Sequence, residues 1–254
     1  MTTIGILGLG EAGGAMARDL RAAGATVHGF DIDPATEPDA PDTATAVDGA
    51  QLVLSLTTAS EALTAATAAA PWLRAGQVYA DANTSGAELK REIAAIVEPS
   101  GAAFADLALM APVPGRGITT PALASGSGAA QAKEILGPFG MPVTVLDAEP
   151  GAAATRKLLR SVAWKGMAAV VCEALAAARA ADLEDWMHDE LLKLFSSADE
   201  QLLARMENGS RQHAVRRAHE MADVGALLRE LGVTPYTSDA ARAQLEDLAR
   251  NGRR

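Results

Sequence analysis

Short apolar runs alternate with longer amphipathic stretches through the first 150 residues. Ile4–Leu7, Thr26–Phe30, Leu52–Leu56, Val78–Ala80 and Phe104–Leu109 are of strand length, and Ala122–Ala124 and Val143–Leu146 are two weaker runs. Between them the spacing predicts helices over roughly 11–23, 59–74, 86–98 and 128–137. Asp33–Asp48, rich in Pro, Asp and Thr, reads as a loop or a single turn in place of a full helix. Strand–helix alternation at this spacing predicts an α/β fold with a doubly wound parallel sheet.

After Gly151 the pattern changes. From Ala152 to about Ala181 there is no proline, one glycine (Gly166) and apolar residues on nearly every face. A helix of about 30 residues spans about 45 Å, and one that is apolar all round is expected to be buried on most sides, between domains or subunits. Further helices are expected near 185–207, 210–231 and 238–250, separated by Asn208–Gly209 and by the stretch from Gly232 to Thr237. The chain therefore divides into a first domain, 1–150, and a smaller all-α domain, 151–254, built on the long helix. Three shorter helices around a long one make a thin core, which calls for a partner subunit.

Composition narrows the function classes. Of 254 residues, 49% are hydrophobic but only 4% aromatic, so Leu, Val, Ile, Met and Ala fill the core. The net charge of −10 lies wholly in the first domain: residues 1–150 carry 7 Lys/Arg against 17 Asp/Glu, and residues 151–254 carry 15 of each. Such a domain lacks the basic clusters that nucleic acid requires, and must hold any anionic ligand with backbone amides and helix ends. The single cysteine, Cys172, excludes an internal disulfide framework and a multi-thiolate zinc site, and the four histidines lack ligand spacing, so no metal is expected. No uninterrupted 18-residue apolar run and no leader-like start are seen, so no membrane partner and a cytoplasmic location are expected.

Gly8-Leu9-Gly10-Glu11-Ala12-Gly13 follows the first strand and opens the first helix. In that context G-x-G-x-x-G is a dinucleotide fingerprint of a Rossmann-type sheet. Gly8 permits the tight turn, Gly10 the approach of a pyrophosphate and Gly13 the packing of helix on strand, with the anion at the helix N-terminus. Asp31 ends the second strand 18 residues past Gly13, where an acid accepts ribose hydroxyls. No Lys or Arg occurs between Arg21 and Arg74, while Asp33, Glu37, Asp39 and Asp42 add negative charge. A 2′-phosphate would lack a counter-ion there, so NAD is expected over NADP.

Four segments in order, G-L-G-E-A-G-G-A-M-A at 8–17, D-A-N-T-S at 81–85, A-P-V-P-G-R-G at 111–117 and G-A-A-A-T-R-K-L-L-R-S at 151–161, resemble the beta-hydroxyacid dehydrogenase family, which includes 3-hydroxyisobutyrate and 6-phosphogluconate dehydrogenases. Residues 156–166, R-K-L-L-R-S-V-A-W-K-G, resemble a subfamily with a shortened C-terminal domain. The resemblance implies a homodimer through the C-terminal helices. It makes Lys157 the general acid/base, at the lysine of a K-x-x-N-N pattern, with Arg160 and Ser161 where the family has asparagines. It places Asn83 and Thr84 at the nicotinamide end and Leu56 and Thr57 at the adenine-side ribose; Asn83-Thr84-Ser85 would equally cap the next helix.

The chemistry is consistent on its own terms. Oxidising an alcohol needs hydride transfer to the nicotinamide and a base for the hydroxyl proton, and a lysine serves once burial or neighbouring cations favour its neutral form. Lys157, Ser161 and Lys165 recur at i, i+4 and i+8 along one helical stripe, which makes Lys165 a candidate substrate contact. That Ser161 and Asn83 orient the substrate is what the resemblance implies.

Two departures bear on the substrate. The family's Ser-Gly-Gly loop is replaced by Pro114-Gly115-Arg116, leaving the amides of Gly115 and Arg116 and the Arg116 guanidinium for an anionic end. A second family lysine is absent where the chain reads Glu220-Met221-Ala222-Asp223. Three functions stay open: an NAD-dependent dehydrogenase of a small, anionic hydroxy acid or related alcohol; an imine reductase, although such relatives usually carry Asp or Tyr in place of the lysine and use NADPH; and a non-catalytic dinucleotide sensor. His213, Arg216, Arg217 and His219 form a basic stripe that reads as a solvated face.

Overall fold

In the structure, a computed structural model describing residues 1–251, the chain forms two compact units, Met1–Arg160 and the residues from Ser161 on, the division falling inside the long helix. The first unit contains β1 (Thr3–Leu7), α1 (Glu11–Ala22), β2 (Thr26–Phe30), α2 (Thr43–Val47), β3 (Leu52–Ser55), α3 (Ala62–Ala69), β4 (Val78–Asp81), α4 (Ala87–Val97), β5 (Ala103–Leu109), β6 (Ala122–Ser125), α5 (Ala129–Leu136) and β7 (Val143–Val145). The strands form one sheet in the order β2-β1-β3-β4-β5-β6-β7.

Side-chain alternation divides the core between the two faces of this sheet. Ile4, Ile6, Leu52 and Leu54 meet Met16 and Leu20 of α1 on one face. Leu7, Val53 and Tyr79 meet Ala66 of α3 and Ile93 and Val97 of α4 on the other. Covering both faces with helices is what lets near-continuous apolar strands stay out of water. This is the Rossmann-type layering expected from the sequence, with one correction. β6 runs antiparallel to β5, while every other pair is parallel. Residues 110–121 carry only a 3-10 turn, Gly117–Thr119, so no helical crossover returns the chain to a parallel start.

Within 33–48 a 3-10 turn at Pro34–Thr36 is followed by the five-residue α2. The Asp42 carboxylate caps α2 by accepting from the Thr45 amide at 2.8 Å, and that hydrogen bond holds the Asp42 carboxyl below its ordinary range. Helix α3 is shorter than its periodicity predicts, because Pro71 turns the chain into a 3-10 segment over Ala70–Trp72.

The long helix, α6, runs from Ala152 to Ala180. It is followed by α7 (Glu184–Ser196), α8 (Glu200–Gln212), α9 (Ala214–Glu230) and α10 (Tyr236–Asn251). The helix expected over 185–207 is thus two, divided where Asp199 caps α8 by accepting from the Leu202 amide at 2.6 Å. The break expected at Asn208–Gly209 lies inside α8, and Gly209 instead makes room for the Arg217 guanidinium. The basic stripe is engaged locally, Arg216 by Glu220 and Arg217 by Ser210.

The expected burial of α6 is not met on the single chain. Of its apolar residues only Ala153, Ala154 and Ala178 are buried, while Val162 is 73% and Trp164 59% exposed. One 18-residue window of α6 reaches a mean hydropathy of 1.3, so by length and composition the helix could cross a membrane although no uninterrupted apolar run was found. The same composition suits a helix covered by protein.

Glu173 on α6 holds α10. Its carboxylate accepts from the amides of Thr237 (2.6 Å) and Ser238 (2.9 Å) and from the Ser238 hydroxyl (2.6 Å). Partial burial opposes ionisation, but these hydrogen bonds outweigh it and hold the Glu173 carboxyl below its ordinary range. A carboxyl lowered on folding stabilises the folded chain above its unfolded pKa, and that contribution is lost as the pH falls through the lowered value. Glu173→Gln is therefore expected to lower the thermal midpoint at pH 7, with the gap from wild type closing below about pH 4. An equal gap at pH 7 and pH 3 would contradict it.

Candidate functional site

The turn from β1 into α1 is shaped by three glycines with different reasons to be glycine. Gly8 adopts φ 94°, and a Cβ there would stand 2.6 Å from the Leu56 carbonyl oxygen. A Cβ on Gly13 would stand 1.8 Å from the Gly8 carbonyl oxygen, so α1 packs directly on the turn. Among the described residues nothing lies within 4 Å of a Cβ built on Gly10. Packing therefore requires Gly8 and Gly13, while the space beside Gly10 is left open. No side chain caps α1, so its first amides and the positive end of its dipole have no partner from a capping side chain.

Beside this turn lies a cavity of about 480 Å³. Of the residues expected at a cofactor, Gly8, Gly10, Glu11, Ala12, Asp31, Leu56 and Thr57 line it. Leu9, Gly13 and Thr84 do not line it; Leu9 contributes its amide to Asp31, and Gly13 lets α1 pack on the turn. Sequence reasoning missed Ile32, Thr58, Glu61 and Thr64, which also line the cavity; their signal was position alone, Ile32 just past β2 and the others in the loop after β3 and the first turn of α3. The Leu9 amide donates to Asp31 Oδ2 at 2.6 Å and the Asp33 amide to Asp31 Oδ1 at 2.9 Å. A carboxylate accepts about four hydrogen bonds, so Asp31 retains capacity for a ligand. These features fit a dinucleotide: an open cradle at Gly10, an uncapped helix end for the pyrophosphate and an acid for ribose hydroxyls.

The nearest cation by sequence is already engaged. Arg21 pairs with Asp39 at 2.6 Å and also donates to the Val27 carbonyl at 3.3 Å. Asp39 in turn accepts from the Gly29 amide at 2.5 Å. Ile32, beside Asp31, is 83% exposed.

A second cluster forms where β4 and β5 end. The structure brings together Lys157 and Thr84: Nζ donates to the threonine hydroxyl at 2.7 Å. Asn83, next in the chain, is buried; its Nδ2 donates to Asp81 Oδ1 (2.5 Å) and Ser55 (3.0 Å). This sets the amide's orientation and leaves Asn83 Oδ1 buried without a hydrogen-bond partner among the described residues. Tyr79, also buried, has its phenol pushed above the ordinary range by desolvation.

Beneath the pair lies an ionic group that the sequence analysis missed. Lys90 is fully buried; its Nζ donates to Asp81 Oδ2 at 2.8 Å and to the carbonyls of Asp81 (2.9 Å) and Asn83 (2.8 Å), and lies 3.5 Å from Asp106 Oδ1. Asp106 Oδ2 accepts from the amides of Gly151 (3.1 Å) and Ala154 (2.9 Å) and from Ser125 Oγ (3.2 Å), so it caps α6. The sequence held one signal: Lys90 sits on the apolar stripe of α4 with Ile93, Ala94 and Val97, where a cation must find buried acids.

The loop over residues 110–121 is pinned by Asp19 of α1. Asp19 Oδ2 accepts from the Ile118 amide at 2.9 Å, and a Cβ on Gly117 would strike that carboxylate. The Arg116 amide donates to the Val113 carbonyl at 2.9 Å, which corrects the expectation that this amide faces a ligand; it closes the turn. The Arg116 side chain is exposed, Gly115 adopts φ 78°, and Arg160 donates to the Met110 carbonyl where the loop begins. Ser161 and Lys165 belong to the second unit.

Two family models match the chain: the NAD binding domain of 6-phosphogluconate dehydrogenase over residues 3–145, and a domain of unknown function, DUF1932, over residues 178–248. No curated protein matches. Among solved structures, a conserved hypothetical protein from Sinorhizobium meliloti 1021 is 29% identical with a TM-score of 0.64, over 97% of this chain and 88% of that one. A conserved protein of unknown function, described as structurally similar to 3-hydroxyacid dehydrogenases, is 28% identical with a TM-score of 0.64, over 98% of this chain and 99% of that one. An imine reductase from Myxococcus stipitatus, solved with NADP+, is 19% identical with a TM-score of 0.81, over 99% of this chain and 95% of that one, a likeness of fold.

Proposed function

Because the chain belongs to the family of the NAD binding domain of 6-phosphogluconate dehydrogenase, we propose that it is an NAD-dependent oxidoreductase acting on a small anionic hydroxy acid or a related alcohol–carbonyl pair, with Lys157 as its general acid/base. The observation that carries this reading is the Lys157–Thr84 hydrogen bond, which seats the one lysine of the family pattern at the carboxyl end of the sheet. Ligands in open α/β sheets bind at that end.

The bound nicotinamide supplies the hydride acceptor or donor. Lys157 takes the hydroxyl proton during oxidation and returns it to the carbonyl oxygen in the reverse direction. Thr84 holds the Lys157 amino group in one place, and Asn83 Oδ1, without a hydrogen-bond partner among the described residues, is an acceptor for a donor group of cofactor or substrate. For the anionic end, the exposed Arg116 guanidinium and Gly115 are the proposed contacts. By the family resemblance Ser161 helps orient the substrate, and Lys165, on the same helical stripe, is a further candidate contact. Between Glu149 and Glu173 the chain carries Arg156, Lys157, Arg160 and Lys165 and no carboxylate, a run suited to a substrate of negative charge.

NAD is the proposed cofactor. Asp31 and Asp33 face any 2′-phosphate with negative charge, the Ile32 side chain offers it no donor, and Arg21 is held by Asp39. Wild type is expected to bind NADH at least about tenfold more tightly than NADPH, about 1.4 kcal/mol, and Asp31→Ser with Ile32→Arg is expected to reverse the order. Fluorescence titration of both cofactors reads this directly, and equal affinities in wild type would contradict it.

Reduction of an imine is the second reading. It is favoured by Pro114, which removes the hydroxyl the family uses on a hydroxy acid, and by the likeness of fold to imine reductases. Supplying keto acids, aldehydes and cyclic imines to the protein with NADH, and following 340 nm, separates the two. The first reading expects carbonyl reduction, and turnover of imines alone would replace it. A cytoplasmic homodimer completes the proposal, supported by the exposed Leu159, Val162, Trp164 and Val170 of α6. Light scattering at micromolar concentration tests the dimer, and a monomer there would contradict it.

A further inference from the structure

The geometry points to Lys90 as a positioning residue that sets the Lys157–Thr84 pair from below, without touching it. This inference rests on the proposed role of Lys157. The two members of that pair come from separate segments, Thr84 from the loop after β4 and Lys157 from α6, and nothing in local sequence fixes their separation. Both segments are moored to one buried ammonium. All three of its donors are used on the β4 side, by Asp81 Oδ2, the Asp81 carbonyl and the Asn83 carbonyl. The Asn83 carbonyl belongs to the residue just before Thr84.

On the α6 side the tie is electrostatic. Asp106 Oδ1 accepts no hydrogen bond from the described residues and lies 3.5 Å from Lys90 Nζ, so this cation is its charge partner. The other oxygen of Asp106 carries the amides of Gly151 and Ala154, and Lys157 stands one turn further along. Asp106 therefore seats α6 only as long as its charge is compensated within a site that excludes water. Lys90 on one helix thus gauges the distance between a loop and another helix.

The consequence is specific. Removing the ammonium releases the Asn83 carbonyl and leaves Asp106 uncompensated, which shifts Thr84 and Lys157 relative to each other while leaving the glycine turn and its cavity untouched. The test uses Lys90→Met and Ser125→Ala. The second keeps every charge but deletes the hydroxyl that donates to Asp106 and accepts from the Ala153 amide at 3.1 Å. Two readouts are taken. The rate of Lys157 acetylation by acetic anhydride, measured by peptide mass spectrometry, needs no substrate. Turnover is then divided into kcat and KM, with NADH affinity and thermal midpoint measured alongside.

In folded Lys90→Met the Lys157 acetylation rate is expected to change at least threefold and kcat to fall about 10- to 100-fold, with KM and NADH affinity within about threefold of wild type. Ser125→Ala moves both in the same direction by less. A merely structural role lowers the thermal midpoint but leaves Lys157 reactivity and kcat per folded molecule at wild-type values, and that result overturns the inference. If Lys90→Met does not fold, Ser125→Ala decides, and an unchanged acetylation rate there overturns it. If wild type turns over no hydroxy acid or imine, the proposed function fails while the acetylation readout still judges Lys90.

Discussion

Lys157→Ala is expected to lower turnover by at least about 10²-fold, about 2.7 kcal/mol of transition-state stabilisation, while NADH affinity stays within about twofold. The two effects separate because Lys157 lines no part of the cavity beside the glycine turn, where the dinucleotide is proposed to bind. Alanine is the strongest helix former and the site is partly exposed, so α6 and the thermal midpoint are expected to be unaffected. Steady-state kinetics with a cofactor titration on the same preparation checks both halves. Lost NADH binding with unchanged turnover per bound site would remove Lys157 from catalysis and make it a cofactor contact.

Gly10→Ala and Gly13→Ala are expected to fail in opposite ways. At Gly13 the added methyl would meet the Gly8 carbonyl at 1.8 Å, and backbone cannot yield as a flexible side chain does. Forced overpacking of this kind costs about 1–3 kcal/mol, so the thermal midpoint falls, and NADH binding weakens with it because the turn is displaced. At Gly10 the methyl meets nothing within 4 Å and φ is −57°, so stability is expected to be unchanged or slightly raised. NADH affinity nonetheless drops at least about tenfold, since the methyl occupies the approach proposed for the pyrophosphate. Thermal melts with and without NADH distinguish the two variants. Undiminished NADH affinity in Gly10→Ala would place the dinucleotide elsewhere.

What could be read from the chain followed from period and punctuation. Seven strands and the helices between them were legible because β1, β3, β4 and β5 are largely apolar on both faces, β2 alternates, and α1 and α4 each present one stripe. The direction of β6 was not legible, since a strand carries no mark of its orientation and only the missing crossover before it decides. The second unit was read less well because Asn208–Gly209 carries breaker residues, yet the chain stays helical there: Asp199 starts α8 late, and Gly209 serves Arg217. In the candidate site, the glycine turn, Asp31, Thr84 and Lys157 announced themselves by motif. Lys90 and Asp106 did not, because their significance is a meeting of α4, β5 and the start of α6 that no local spacing records. Arg116 shows the converse, a loop amide that looks available in sequence and is closed by its own turn.

The most direct test is absorbance at 340 nm with wild-type protein and NAD or NADP, over a panel of 2- and 3-hydroxy acids, their phosphonate analogues and simple alcohols. NADH formed from NAD, with little signal from NADP, is the result expected of an NAD-dependent dehydrogenase built as described. Turnover confined to NADP, or tight NADH binding with no oxidation or reduction of any substrate offered, would contradict it.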